Sequence, residues 1–151
     1  MISIERTTSE NPNFQQLVVL LDEYLRITDG DEHAFYNQYN NIENLQEVVV
    51  AYSENLAVGC GAIKPYDSDT VEIKRMFVLP EARGQGVATK TLSALEQWAR
   101  ELNYKKCILE TGKRQPEAIA LYSKTGYEVI PNYGQYQGME NSVCFLKQVE
   151  M

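Results

Sequence analysis

The chain has 151 residues, room for one hydrophobic core but not two, and its 44% apolar and 23% charged residues are ordinary globular usage rather than that of a disordered segment. A net charge of -7 and the lack of any Lys/Arg run argue against a nucleic-acid partner, which needs a basic face for its phosphates. The longest aliphatic run, residues 17–21, is far too short to span a bilayer, and the first ten residues lack the apolar core of a secretion signal, so a cytoplasmic protein without a membrane partner is expected.

SIER, residues 3–6, reads as an opening strand. Asn11 and Pro12 then offer a cap and a first-turn proline for a helix whose Phe14, Leu17, Val18, Leu21 and Leu25 share one face. A second, looser helix is expected over DEHAFYNQYN, residues 31–40, from the spacing of Ala34, Phe35, Gln38 and Tyr39. EVVVAYS (47–53) and LAVGCGAIKPY (56–66) are strand-like runs joined by the turn residues Ser53, Glu54 and Asn55, which predicts a hairpin.

TVEIKRMFV (70–78) is a third such run, ended by Pro80 and Glu81. From Gly86 the period changes: Ala88, Leu92, Leu95, Ala99 and Leu102 recur in steps of four and three, the buried face of a long helix. KCILE (106–110) is a further strand, Pro116 opens a short helix through Ser123, and Gly126 closes it as a left-handed residue. YEVI (127–130) and SVCFLKQ (142–148) finish as a strand pair. The expected order β-α-α-β-β-β-α-β-α-β-β makes a single α/β domain over residues 1–151, its mixed central sheet flanked by helices.

Cys60, Cys107 and Cys144 are widely spaced, form no CxxC pair and have no histidine neighbour, so they read as buried small hydrophobes; with His33 the lone histidine, no metal cluster or Ser/His triad can be assembled. Residues 81–90, EARGQGVATK, carry the first chemical signal. Two glycines and an arginine lie between a strand and a long helix, where free amides and the helix dipole favour an anion. Arg83 adds a planar fork of donors. The Walker loop needs Gly-Lys-Ser/Thr and the dinucleotide fingerprint a third Gly or Ala, which this stretch lacks, and a lone G-x-G is more often just a tight turn.

RGQGVA (83–88) nevertheless resembles the R-x-x-G-x-G/A signature of the GNAT family of N-acetyltransferases, small bacterial type. The strand before it, the helix after it and AIALYSKTGYEVI (118–130) resemble that family's other motifs in order, so the likeness covers the chain from about Val48 onward and leaves the first forty residues with little family signal. The fold it implies is a mixed, mostly antiparallel sheet. It also implies acetyl-CoA as cosubstrate, its diphosphate cradled by the amides of Arg83, Gly84, Gln85, Gly86, Val87, Ala88 and Thr89, and its pantetheine arm bonded to the backbone of Met76, Phe77 and Val78. Gln115 stands where the family often has Asn, and contact with the cofactor arm or plain surface exposure fit it equally.

Acetylating an amine requires its proton to leave: with a pKa near 10.4, only about one primary amine in a thousand is neutral at about pH 7.4, a cost of roughly 4 kcal/mol. Glu72, inside an otherwise apolar strand and six positions before Val78, matches the family's catalytic glutamate and is the candidate base, directly or through a water, the alternatives being an ion pair with Lys74 on the same strand face or simple exposure to solvent. Tyr122 matches the family's general acid, with ordinary core packing as its alternative. The resemblance implies direct attack on the thioester, with no part for the cysteines.

For the acceptor, Tyr133 and Tyr136 lie in PNYGQY, a segment that lines the acceptor cleft in this family, and Tyr24, Arg26, His33, Tyr36 and Arg75 are further candidates to face it. EIKRM (72–76) and the run from LETG (109–112) to QPEAIALY (115–122) resemble small bacterial members, which implies an amino-acid-like amine, and Arg26, Lys64, Lys74 or Arg75 could hold its carboxylate; the acidic balance suits a polyamine or a protein lysine instead. A CoA-binding sensor without catalysis is the reading from a different class; it would require neither Glu72 nor Tyr122. Homodimers are common among proteins of this type.

Overall fold

Asn11 Oδ1 accepts hydrogen bonds from the amides of Asn13 (2.8 Å) and Phe14 (3.1 Å), so the expected cap is made and helix α1 runs Pro12–Asp29 behind it. The computed structural model describes residues 1–29 and 45–150, and the expected helix over 31–40 lies outside the described residues. Strand β1 spans Ile2–Thr7, and the predicted hairpin is β2 (Glu47–Ser53) with β3 (Leu56–Pro65), its turn carried by Glu54 and Asn55 at φ +51° and +72°. β4 is Thr70–Val78, followed by a short 3-10 turn, Pro80–Ala82, and by helix α2, Val87–Glu101. Then come β5 (Lys106–Gly112), helix α3 (Pro116–Lys124), β6 (Glu128–Ile130) and β7 (Ser142–Gln148), with Gly126 in the left-handed region just past α3.

The seven strands form one sheet in the order β1-β2-β3-β4-β5-β7-β6, antiparallel throughout except where β4 meets β5. The last two strands pair as expected, but β7 inserts beside β5 and leaves β6 at the edge. Strand alternation distributes the core over two faces. Val48 and Val50, with Cys60, Ala62 and Phe77, meet Phe14, Leu17, Val18 and Leu21 of α1. Val49, Ile63, Val71, Ile73 and Leu109 meet Leu92, Leu95 and Ala99 of α2 on the other, where Tyr122 of α3 also packs.

α2 lies very close to β3, and glycine permits it. A Cβ on Gly61 would fall 2.6 Å from Met76 Sδ and 2.8 Å from a Leu95 methyl; one on Gly59 would fall 2.8 Å from Val87. The buried face of α2 differs from the expected one. Val87, Thr91, Leu92, Leu95, Glu96 and Ala99 are buried, whereas Leu102 lies beyond the last helical turn and is 43% exposed. Buried Glu96 accepts a hydrogen bond from the Tyr127 hydroxyl (2.9 Å) and pairs with Lys147 Nζ (3.0 Å), tying α2 to the far end of the sheet. No helix among the described residues is long and apolar enough to cross a membrane.

Candidate active site

β4 and β5 are joined only at Thr70, Val71 and Glu72 against Lys106, Cys107 and Ile108. Both strands continue well past that point, so they part and leave a wedge whose walls are β4 from Ile73 onward, the end of β5, α3 and the face of α1. Opening a wedge at the carboxyl ends of parallel strands is a common way for an α/β sheet to make a crevice. β4 bends there. Its register with β3 slips so that Cys60 faces Phe77 while Ala62 faces Lys74, and Arg75 takes φ +60°. A left-handed, non-glycine residue in a strand stores backbone strain, of order 1–3 kcal/mol.

One part of the wedge is a trough of about 440 Å³ lined by Met76, Phe77, Val78, Arg83, Gly84, Gly86, Val87, Ala88, Thr89, Gln115 and Tyr122, among others. Sequence reasoning placed all of these around the cofactor, and the fold brings them together; Gln85 is exposed in the same turn. The helix ladder of α2 begins with Lys90 N–H on Gly86 O (3.0 Å), so the amides of Val87, Ala88 and Thr89 precede any i–4 partner and the cap residue offers no side-chain bond. Gly84 and Gly86 sit at φ +81° and +79°, and a Cβ at either would meet nothing within 4 Å. Glycine is thus required there by dihedral angle rather than by crowding, and the mouth of the turn is open.

Arg83 is exposed beside the trough, its guanidinium carbon 5.6 Å from the centroid of the Tyr24 ring. Tyr24, expected to face the acceptor, lines the trough and is not among the residues lining the other part of the wedge. Gln115 precedes α3, makes no side-chain cap bond and lines both parts of the wedge, as do Leu21, Met76, Ala118 and Tyr122.

The other part is a smaller chamber of about 110 Å³, whose polar walls are Glu72, Lys74, Arg75, Glu110, Thr111 and Tyr136. Glu72 is 7% exposed. Its Oε2 accepts a 2.7 Å hydrogen bond from the Tyr133 hydroxyl, and its Oε1 lies 4.0 Å from Lys74 Nζ, so the strand-face partner weighed in the sequence is present together with a second one. Burial lowers the Lys74 pKa, with Glu72 and Glu110 opposing that shift. Tyr133 and Tyr136 both hold their protons above the ordinary phenol range, through burial first and then the nearby carboxylates, and their rings pack edge to face at 5.6 Å. Burial, with Glu110 adding to it, likewise raises Tyr122, whose ring sits against Tyr127 and Phe145.

Arg26 is exposed on the last turn of α1 and Lys64 is exposed on β3, and neither is among the residues lining trough or chamber. His33 and Tyr36 lie outside the described residues. Sequence reasoning missed Glu110, although its place at the end of the parallel strand β5 was a usable signal, and it missed the part played by Leu21 and Leu25 of α1 in walling the chamber. The three cysteines are buried, and desolvation pushes their thiols up to about 12, 12 and 11 for Cys60, Cys107 and Cys144. Among the described residues no group of His, Cys, Asp and Glu could hold a metal ion.

Comparison with known proteins is consistent with this geometry. The family model described as "Acetyltransferase (GNAT) family" matches residues 14–127, beginning in α1, well before the part in which the sequence itself carries the resemblance. The chain is 40% identical over 114 residues to the uncharacterized N-acetyltransferase YjgM of Escherichia coli, covering 73% of this chain but only 60% of that protein's length. It is 34% identical to the IAA acetyltransferase of Azospirillum brasilense over 89% of this chain and 90% of the relative. A crystal structure from Klebsiella pneumoniae, assigned as an acyl-CoA N-acyltransferase, superposes with a TM-score of 0.82 at 30% identity, covering 99% of this chain and 98% of that one. With a sheet split between β4 and β5 and a family match over most of its length, the chain belongs to the acetyltransferase (GNAT) family.

Proposed function

We propose that this protein transfers the acetyl group of acetyl-CoA to a primary amine of a small molecule by direct attack, and that it does so in the cytoplasm. The observation that carries the reading is convergence: a helix N-terminus capped by a left-handed glycine, an unpaired strand edge and a buried carboxylate all open onto one continuous wedge.

Acetyl-CoA, when bound, supplies an activated acyl carbon and a thiol leaving group; the rest falls to the chain. The free amides of Val87, Ala88 and Thr89 suit a diphosphate, with Arg83 at the rim adding positive charge. The edge of β4 at Met76, Phe77 and Val78, released from β5, can bond an extended amide-bearing arm as a sheet bonds an added strand. Met76, Gln115 and Tyr122 are shared by trough and chamber, which supports a reacting end of the arm where the two meet.

The amine attacks in its neutral form, at the cost of roughly 4 kcal/mol near neutral pH, and Glu72 takes its remaining N–H proton as the N–C bond forms and makes that proton acidic. The Tyr133 hydroxyl holds one carboxylate oxygen in place while it does so. Tyr122 keeps its proton throughout the working range, so it meets the departing sulfur as a loaded donor. With its phenol above the ordinary tyrosine value and a typical thiol near 8.5, complete proton transfer is uphill, and its main effect is a hydrogen bond to the developing thiolate. The buried cysteines, held protonated, take no part.

The test combines calorimetry with coenzyme A and release of free thiol from acetyl-CoA across a panel of primary amines. Glu72→Gln is expected to keep coenzyme A affinity and lower turnover by about 10²–10⁴. Binding without thiol release from any amine favours the sensor reading, and no heat on adding coenzyme A ends both.

A further inference from the structure

Arg75 presents a contradiction inside the chamber. Its side chain is 5% exposed and its Nη1 bonds Asp22 Oδ1 of α1 at 2.8 Å, yet its buried Nε finds no hydrogen-bond partner among the described residues. A buried guanidinium donor without an acceptor is costly, and native structures rarely leave one so unless something else completes it. The placement is itself unusual. Lys74 and Arg75 are consecutive in β4, where neighbouring side chains should point to opposite faces, but the slip in register and the left-handed φ of Arg75 bring both to the wall of the same chamber.

The chamber therefore shows both signs of charge: carboxylates of Glu72 and Glu110, cations of Lys74 and Arg75. An amine substrate alone accounts for the acidic side. It leaves the open donor of Arg75 unexplained, and a guanidinium edge is the group best shaped for a carboxylate. We propose that the acceptor is an amine that carries its own carboxylate, an amino acid in the broad sense, and that Arg75 Nε holds that carboxylate while Glu72 faces the amine. This rests on the acetyl-transfer reading above and narrows its substrate to one chemical class. Asp22 occupies Nη1 from the α1 side, and Nε is left without a partner.

Matched pairs of acceptors test it: an amino acid and the amine left when its carboxylate is removed, over several side chains, with thiol release giving kcat/KM for each. Wild type is expected to favour the carboxylate-bearing member at least about tenfold, and Arg75→Gln to reduce that ratio to within about twofold of unity. Asp22→Asn, which keeps the guanidinium but weakens its anchor, is expected to lower the ratio, though less than Arg75→Gln does. Should Arg75→Gln not fold, Arg75→Lys, which keeps the charge and loses the Nε donor, takes its place and is expected to lose most of the ratio. Turnover of amines with no preference for the carboxylate, or a preference that survives loss of Nε, overturns this inference alone. Coenzyme A binding with no turnover of either member of any pair overturns the acetyl-transfer reading, and this one with it.

Discussion

The hydroxyl of Tyr133 donates to Oε2 of Glu72 across 2.7 Å, although 61 positions of chain separate them. One comes from a loop between the last two strands, the other from the middle of the sheet, and the bond fixes the orientation of the candidate base. Tyr133→Phe removes the donor and leaves the ring packing against Tyr66 and Tyr136 intact. A hydrogen bond to a charged group is worth about 1.5–3 kcal/mol, so kcat is expected to fall roughly tenfold or more. KM for acetyl-CoA should stay constant, because Tyr133 does not line the trough. Steady-state kinetics with both substrates varied separates these, and a rise in that KM alone would count against the assignment.

Gly86 caps α2 at φ +79° with free space around it, so substitutions there should follow dihedral tolerance rather than size. Asn, which accepts the left-handed region, is expected to preserve coenzyme A affinity better than Ala, and Ala better than Val. Isothermal titration of the three variants gives the order directly. If small and large residues were equally tolerated, the turn would not be held in this conformation when ligand binds.

Glu96 is a buried charge that satisfies both Lys147 and the Tyr127 hydroxyl. Glu96→Ala strands both partners, and a loss of about 2 kcal/mol is expected, some 4–8 °C in Tm for a domain of this size. Thermal melts of Glu96→Ala and Glu96→Gln check it, the amide being the milder change because it keeps a hydrogen-bonding shape.

Stability should fall in alkali. Cys60, Cys107 and Cys144 are pushed up to about 12, 12 and 11, and Tyr122, Tyr127, Tyr133 and Tyr136 are raised above the ordinary phenol value of 10.0, burial being the leading cause for each. A raised folded pKa means that the native state keeps protons the unfolded chain has lost. The contribution is full below the unfolded values and is lost as pH climbs past them. Each such group adds a slope of about 1.4 kcal/mol per pH unit, so urea midpoints measured under reducing conditions should decline from about pH 9 and more steeply beyond about pH 10. A midpoint constant to pH 11 would show that these side chains are hydrated in solution.

Much of this was legible because it is local. The Asn11 cap, the hairpin turn at Glu54 and Asn55, the glycine turn before α2 and the left-handed stop at Gly126 are each set by a few neighbouring residues. What escaped depends on distant chain. Nothing near β7 says that it inserts between β5 and β6, and nothing near Arg75 says that a non-glycine residue will take a positive φ there. Leu102 fits the apolar period of α2, yet the helix ends at Glu101 and exposes it. Nothing near Tyr24 in the chain says that its ring will lie beneath Arg83, nearly sixty positions later. Glu96 was overlooked because a charged residue seldom sits in a helix's apolar stripe, and its partners lie on other elements.

The common wall formed by Met76, Gln115, Ala118 and Tyr122 bears on inhibition. A compound confined to either compartment leaves the other to be filled by its natural occupant. Tethering a nucleotide-bearing tail to an amino acid through a short spacer would make the second encounter intramolecular, so the joined molecule should bind far more tightly than either half. The spacer length that binds best would then serve as a ruler for how closely the two partners approach.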